Sequence, residues 1–483
     1  MALSYVWGEV NQFLCTEANY TSLCEQGALE KYNDLLSRVI KDAITAVIGL
    51  GERYLWVDTL CIIQDGKDKG LLISHMASIY NAALLTIIAV DAFDADSGLP
   101  GVNIGSREMA QGVREAGILI CKKRDELTIY RSRGWTYQEV LLSRRQLYIS
   151  NQQVTLRCQK YRFSEDRQRS TSIETDTEWM SMIPREVSLE NYFQLVETYT
   201  GRVLRYNSDR LRAFSGILGA LESSWNWAFT NGLPNQYLHD ALLWFPVEEY
   251  GFEALVHSMS AGLSEFPSWS WASPCGEVSF AHALAQIQEL RHIATLDCGV
   301  KDDKEDQLQS INTSGLKMQE HGNPSTRNHN TRLDINLLTE SQPLNQFEIG
   351  PFPHYDKLEE AIEEASVRCL PVFTSEGVWC GLFLGVQRSD IAQIDSTERL
   401  SLCALSSYRC KDGKTYEFWS VGGLGYMLKQ PFDLDRYPTG AFATVNVMLV
   451  MHVKDAVIRL AIGEIHKQAW DMHKISGTEF RLV

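Results

Sequence analysis

Over the first 160 or so residues, short apolar runs alternate with stretches of helical periodicity, and no other feature narrows the fold so far. Residues 2–7 (ALSYVW), 53–63 (RYLWVDTLCII), 84–90 (LLTIIAV) and 146–157 read as strands. Between them, Leu35, Leu36, Val39, Ile40, Ala43, Ile44, Val47 and Ile48 form one apolar stripe at helical spacing over residues 30–48, stopped by Gly49 and Gly51. A polar loop (64–70), a helix through SHMASIYNAA and a helix from near Trp135 (GWTYQEVLLS) follow, with an irregular insertion over 92–128. Strands that are apolar throughout need cover on both faces, which predicts a parallel-dominated α/β sheet.

The texture changes downstream. Residues 185–245 carry three helical patterns, with Ser208 placed to cap the second. After residue 262, PSWSWAS, VWCGLFLGV, FATVNVMLVMHV and VIRLAIGEI read as short strands. PSWSWAS is expected to be a tryptophan-rich strand pair that holds the C-terminal core. Residues 301–333 are polar with almost no aliphatic content, the composition of a disordered insertion. The expected domains are 1–160 (α/β), 161–260 (helical) and 261–483 (β-rich, interrupted by 301–333).

A net charge of -16 gains no counterion-release energy on DNA or RNA and is repelled by anionic membrane surfaces. No run approaches the length of a membrane span; the longest apolar run, Ala82 to Val90, reads as a buried strand. No basic segment followed by an apolar run opens the chain. The eleven cysteines are scattered, without a C-x-x-C and without the Cys/His clustering of a zinc site. Packed thiols in a reduced, cytoplasmic chain are the plain reading.

Three motifs stand in order: ALSYVWG (2–8), RYLWVDTLCIIQD (53–65) and SRGWTYQEVLLSRR (132–145), the last with a W-x-x-Q-E element. HMASIYNAALLTIIAVD and the DADSGLPG turn lie between them, and SDRLRAFSGI, PSWSWAS and IHKQAWD further on. On these residues the chain resembles the fungal heterokaryon-incompatibility (HET) proteins. Members of that family usually carry a segment before the first motif, whereas this sequence starts inside the first strand, so a short first strand is expected. The resemblance implies a role in fungal non-self recognition and regulated cell death, through protein partners of the incompatibility system. A more distant resemblance, to Toll/interleukin-1 receptor (TIR) domains, implies a flavodoxin-like fold, self-association on activation and NAD as a substrate rather than a bound cofactor.

In a doubly wound sheet, ligands bind at the carboxyl ends of the strands. Ser4, Tyr5, Trp7 and Gly8 would lie at the end of the first strand, and Asp58 and Cys61 at the end of the second. Trp135 and Glu139 are four apart and share a helix face. Cleavage of a glycosidic bond develops positive charge that a carboxylate stabilises, and an aromatic ring can stack on the leaving base. Glu139 is the candidate carboxylate, and Trp135 or Trp7 the platform.

Each residue has a structural alternative. Glu139 stands near Arg131, Arg133, Arg144 and Arg145 and could be half of an ion pair. Asp58 could cap its loop, and the two tryptophans could be core. Cys61 reads as a buried, inert thiol. The QDGKDKG loop, with Lys67 and Lys69, could hold phosphate but reads as a solvated turn. Ser215 lacks the flanking glycines of a nucleophile elbow and reads as helix packing. Two classes of function remain: an effector that hydrolyses NAD, and a non-enzymatic module acting by self-association.

Overall fold

A computed structural model describes residues 1–103, 106–107, 113–115, 118–120, 128–165, 171–172, 183–247, 265–273, 276–284, 290–299, 334–350, 369–394, 399–408, 416–419, 425–428, 432–433, 435–437 and 442–483. The insertion expected at 301–333 lies outside the described residues, as does much of 92–128. The chain divides into two compact units: Met1–Val187 with Arg202–Asn226, and Ser188–Gly201 with Trp227–Val483.

The first unit is built on a mixed sheet. Strand β1 (Ala2–Ser4) pairs in parallel with β2 (Thr86–Ala89), which pairs in parallel with β3 (Arg145–Ile149). From β3 the sheet turns antiparallel through β4 (Val154–Cys158), β5 (Tyr161–Ser164) and β6 (Thr171–Ser172). The expected strand over 146–157 is therefore a hairpin. Ser150 Oγ donates to the Gln153 carbonyl at its tip, a serine turn in the polar SNQQ stretch inside what reads as one strand. The sheet is mixed, with its parallel part confined to β1, β2 and β3.

The expected second strand is absent. Residues 53–63 contribute one isolated bridge, Trp56 to Ala2, and then wind into the helical turn Asp58–Cys61. Asp58 is the first residue of that turn, and its Oδ1 accepts from the Thr59 N–H at 2.7 Å. A carboxylate that satisfies a helix-start N–H ends the extended run there.

Helix α1 (Arg38–Gly49) buries Val39, Ile40, Ala43 and Val47 against the sheet. It starts later than the apolar stripe suggests, because Leu36 is extended (ψ 135°) and Leu35 is in a 3-10 turn and exposed. Helix α2 (Met76–Ala82) and helix α3 (Gly134–Leu142) sit where their patterns put them. The long helix of the middle segment that joins this unit is α5 (Arg212–Trp225). Ser208 does not cap it: residues 207–209 form a 3-10 turn and Leu211 holds the cap position.

The second unit includes α4 (Leu189–Thr200) and a large, mainly antiparallel sheet. Its main strands are β7 (Asp334–Pro343), β8 (Cys369–Thr374), β9 (Trp379–Leu384), β10 (Leu400–Tyr408), β11 (Thr444–Val453), β12 (Ala456–His466) and β13 (Ile475–Leu482). Strands β10, β7, β13, β12 and β11 pair in that order and β11 returns to β10, so these five close into a ring. Leu402, Val447, Leu449 and Leu460 belong to the core cluster of this sheet. PSWSWAS is not a strand pair. Residues 267–273 are turns from which Trp269 and Trp271 are driven into the interior. Backbone and hydroxyl partners anchor them: the Trp269 carbonyl accepts from Trp244 Nε1 (2.9 Å) and Trp271 Nε1 donates to Tyr192 Oη (3.0 Å).

Candidate functional site

The end of β1 is where the first unit gathers its chemistry. Three motifs far apart in sequence converge there because β1 is flanked by Trp56 on one side and β2 on the other, while α3 lies across it. Ser4, buried, donates from Oγ to Glu139 Oε2. The same Oγ lies within hydrogen-bond distance of Tyr130 Oη. Tyr80, fully buried on α2, donates to the Leu3 carbonyl at 3.1 Å. Glu139 is only 6% exposed.

That enclosure sets its charge. Burial pushes the Glu139 carboxyl up to about 7; the Ser4 hydrogen bond opposes, the Asp58 charge adds, and Arg133 opposes. Tyr80 and Tyr130 are held well above the ordinary phenol value, chiefly by burial and then by Glu139. Both therefore remain neutral hydroxyls. The expected ion pair with arginine is not formed among the described residues. Arg133 Nη1 donates to the Tyr5 carbonyl (3.1 Å), Arg144 Nε to Asn81 (3.2 Å) and Arg145 Nη1 to the Leu84 carbonyl (3.4 Å). Arg133 acts on Glu139 through its field, without a bond.

A second group adjoins the first. Trp7 Nε1 donates to Asp58 Oδ2 at 2.7 Å, and Tyr5 Oη bonds Gln12 (2.8 Å) and Thr59 (3.2 Å). Removal from water raises the Asp58 carboxyl, while Trp7, the Thr59 N–H and Arg133 pull it back. Gly8 has φ +68°, and a Cβ there would meet Asp94 Cβ at 2.4 Å, so this position demands glycine to turn the chain past Asp94. Trp135 stands apart: it is half-buried and packs near Met76 and Leu142.

Cys61 is exposed rather than buried, as is Cys24. Its Sγ accepts from the Val57 N–H at 3.5 Å, and burial of the sulfur, which comes first, outweighs that bond and raises the thiol. Lys67 is exposed, and Gln64 ties the loop back to the Asp58 carbonyl (2.9 Å), as a solvated turn would. Ser215 Oγ donates to the Arg212 carbonyl within its own helix.

Three members of the cluster escaped sequence reasoning: Tyr80, Tyr130 and Arg133 as a field source. Tyr80 sits inside the SHMASIYNAA helix and Tyr130 just before the third motif, and their polar tips at the rim of otherwise apolar segments were the available signal.

The first unit is an α/β sheet unit with a buried carboxyl at the end of its first strand. Residues 1–139 match the family model described as Heterokaryon incompatibility protein (HET), and the matched stretch contains Ser4, Tyr5, Trp7, Gly8, Asp58, Trp135 and Glu139. No curated protein and no solved structure gives a significant match. Among the described residues, no helix is long and apolar enough to cross a membrane.

Proposed function

We propose that this chain is a heterokaryon-incompatibility protein, a cytoplasmic effector of non-self recognition and regulated cell death, and that its first unit acts by hydrolysing NAD. The observation that carries the enzymatic part is the contact between Glu139 and Ser4 at the carboxyl end of β1, within the field of Asp58. Two acidic groups favour a cationic ligand such as a nicotinamide ribosyl centre. In the reaction the bond from the ribose carbon to nicotinamide nitrogen breaks, and the base leaves neutral with the electron pair. Water bonds to the cationic carbon, and its proton passes to the Glu139 carboxylate. Ser4, Tyr5, Trp7 and Asp58 line the binding side, Gly8 shapes the turn, and Trp135 supports the helix that carries Glu139. A TIR-like element order would need a strand over 53–63, where the structure has a single bridge and a helical turn, so the reading rests on the site alone.

The test is turnover of NAD by purified, artificially clustered protein, paired with Glu139→Gln. Loss of the charge should slow turnover roughly a hundredfold or more, about 3 kcal/mol, with the melting temperature kept. A Glu139→Gln protein as fast as its parent would end the enzymatic reading.

A second reading, a non-enzymatic module acting by self-association, is favoured by how closely Glu139 is enclosed. Under it, clustering would transmit the signal and no NAD would be consumed in any state of the parent protein.

A further inference from the structure

One flank of α1 opens into a groove that the Glu139 site does not use. Residues four apart on a helix fall in one row. Here the row climbs from buried Ile40 through half-buried Ile44 to Ile48, which is 69% exposed. Leu29, from the helical turn Ala28–Lys31, lines the groove as well, and so do Val57 and Leu60. The groove holds about 720 Å³. Val57 and Leu60 flank Asp58 and Thr59 in sequence, so an occupant rests on the turn that carries Asp58.

Shape narrows what fits. Ile40 to Ile48 covers about 12 Å, a little over two helical turns, and a partner helix covers that length with apolar side chains at i, i+4 and i+7. An added strand would need a run of free backbone groups. The Trp56 N–H donates to the Met1 carbonyl (2.9 Å) and its carbonyl accepts from the Leu3 N–H (3.0 Å). The Val57 carbonyl accepts from the Leu60 (3.1 Å) and Cys61 (2.8 Å) N–H groups, and its own N–H goes to Cys61 Sγ. A small enclosed ligand would leave Ile48 and Tyr54, 76% exposed, in water.

Charge narrows it further. Glu30 and Glu52 line the groove, and neither has an ion-pair partner among the described residues. Lys31 is engaged by Glu25 at 3.0 Å, and Arg53 lies over the Tyr54 ring. The last turn of α1, which ends at Gly49, carries no basic residue, so the negative end of its dipole adds to Glu52. In a symmetric pair of copies the two carboxylates would meet their own counterparts, with only Arg53 offered in exchange.

We propose that this groove docks an amphipathic helix of a protein partner, its apolar stripe against α1 and its lysines or arginines against Glu30 and Glu52. The docking site stands whether or not Glu139 is catalytic.

The test uses the full chain and three labelled peptides of about 18 residues, long enough to turn helical. One is a Leu/Lys helix with a single apolar stripe, one its Leu/Glu counterpart, and one a Leu/Lys peptide with the stripe scrambled. By fluorescence anisotropy the striped Leu/Lys peptide should bind at least about tenfold more tightly than either control. Ile48→Gln should weaken it by about tenfold, and the pair Glu30→Lys with Glu52→Lys should shift the preference to the Leu/Glu helix. Ile48 and Glu30 are exposed and Glu52 is half-buried, so the variants should keep the parent's melting temperature. No binding of the striped peptide, equal binding of the scrambled one, or a preference unmoved by the charge swap overturns the docking site. A parent that dimerises, with the dimer lost in Ile48→Gln, gives the face to a second copy and overturns it too. Failure to consume NAD leaves these outcomes unchanged.

Discussion

At the scale of single residues, the carboxyl cage makes a prediction about pH and stability. Glu139 binds its proton more tightly in the folded chain, at about 7, than in the unfolded chain, near 4.5. Between those values the native state holds more protons than the unfolded state, so stability falls as pH rises. The contribution is fully present below about 4.5 and lost as pH passes about 7, and its full size is about 3 kcal/mol. Urea unfolding followed across this window should show the parent losing stability relative to Glu139→Gln, which has no proton to release. A parent and variant that change in parallel would remove the buried acid from the account. Had Glu139 been paired with an arginine, the same substitution would strand a cation and cost about 3–5 kcal/mol at every pH. Ser4 and Glu139 were each singled out in the sequence because both lie in motifs, but the bond between them was not. The two tyrosines were not, since a hydroxyl's partner is set by three-dimensional closure over separations of 126 and 135 residues from Ser4 to Tyr130 and Glu139.

At the scale of elements, α3 is held by what lies behind it. Gly216 on α5 lets that helix approach closely: a Cβ there would meet Ala77 Cβ at 2.6 Å, Gln138 Oε1 at 2.7 Å and Leu142 Cδ1 at 3.0 Å. Gly219, one turn on, has nothing within 4 Å. Gly216→Val should therefore destabilise the first unit by about 1–3 kcal/mol through overpacking. Gly219→Ala should be neutral or stabilising by up to about 1 kcal/mol through helix propensity. Thermal unfolding of the two variants checks the contrast, and equal effects would mean that α5 does not press on α3. Helices were the elements best read from sequence; α5 buries Phe214, Ile217, Leu218, Leu221 and Trp225 at its own period, whereas α3 is buried nearly all round. Strands were read worst where an apolar run hides a change of direction. Residues 53–63 look apolar until Asp58 turns the backbone, and in 146–157 the polar SNQQ stretch at 150–153 carries the turn that a single-strand reading passes over. The tryptophans of 267–273 were recognised as core, but hydrophobicity says nothing about whether a turn or a strand delivers them.

At the scale of the whole molecule, the two units are interleaved along the chain. Residues 188–201 belong to the second, 202–226 return to the first, and 227 onward belong again to the second. The return segment is tied in closely: Gly134 N–H donates to the Val203 carbonyl (2.9 Å), Val203 N–H to the Ser132 carbonyl (2.6 Å), and Arg202 lies 4.4 Å over the Tyr137 ring. This arrangement has a consequence for synthesis, which is vectorial. When Glu139 has left the ribosome, α5 has not yet been translated; at roughly 5–20 residues per second, its last residue follows several seconds later. During that interval the helix bearing Glu139 has no cover on its far side. Nascent chains arrested with about 180 residues exposed should be digested readily across α2 and α3, while chains exposing about 260 should resist, by analogy with domains that close only when complete. Equal resistance at both lengths would show that the first unit closes without α5. If the contrast holds, the site around Glu139 is withheld by the order in which the ribosome delivers its parts, and a transcript cut short before residue 226 leaves that site unfinished.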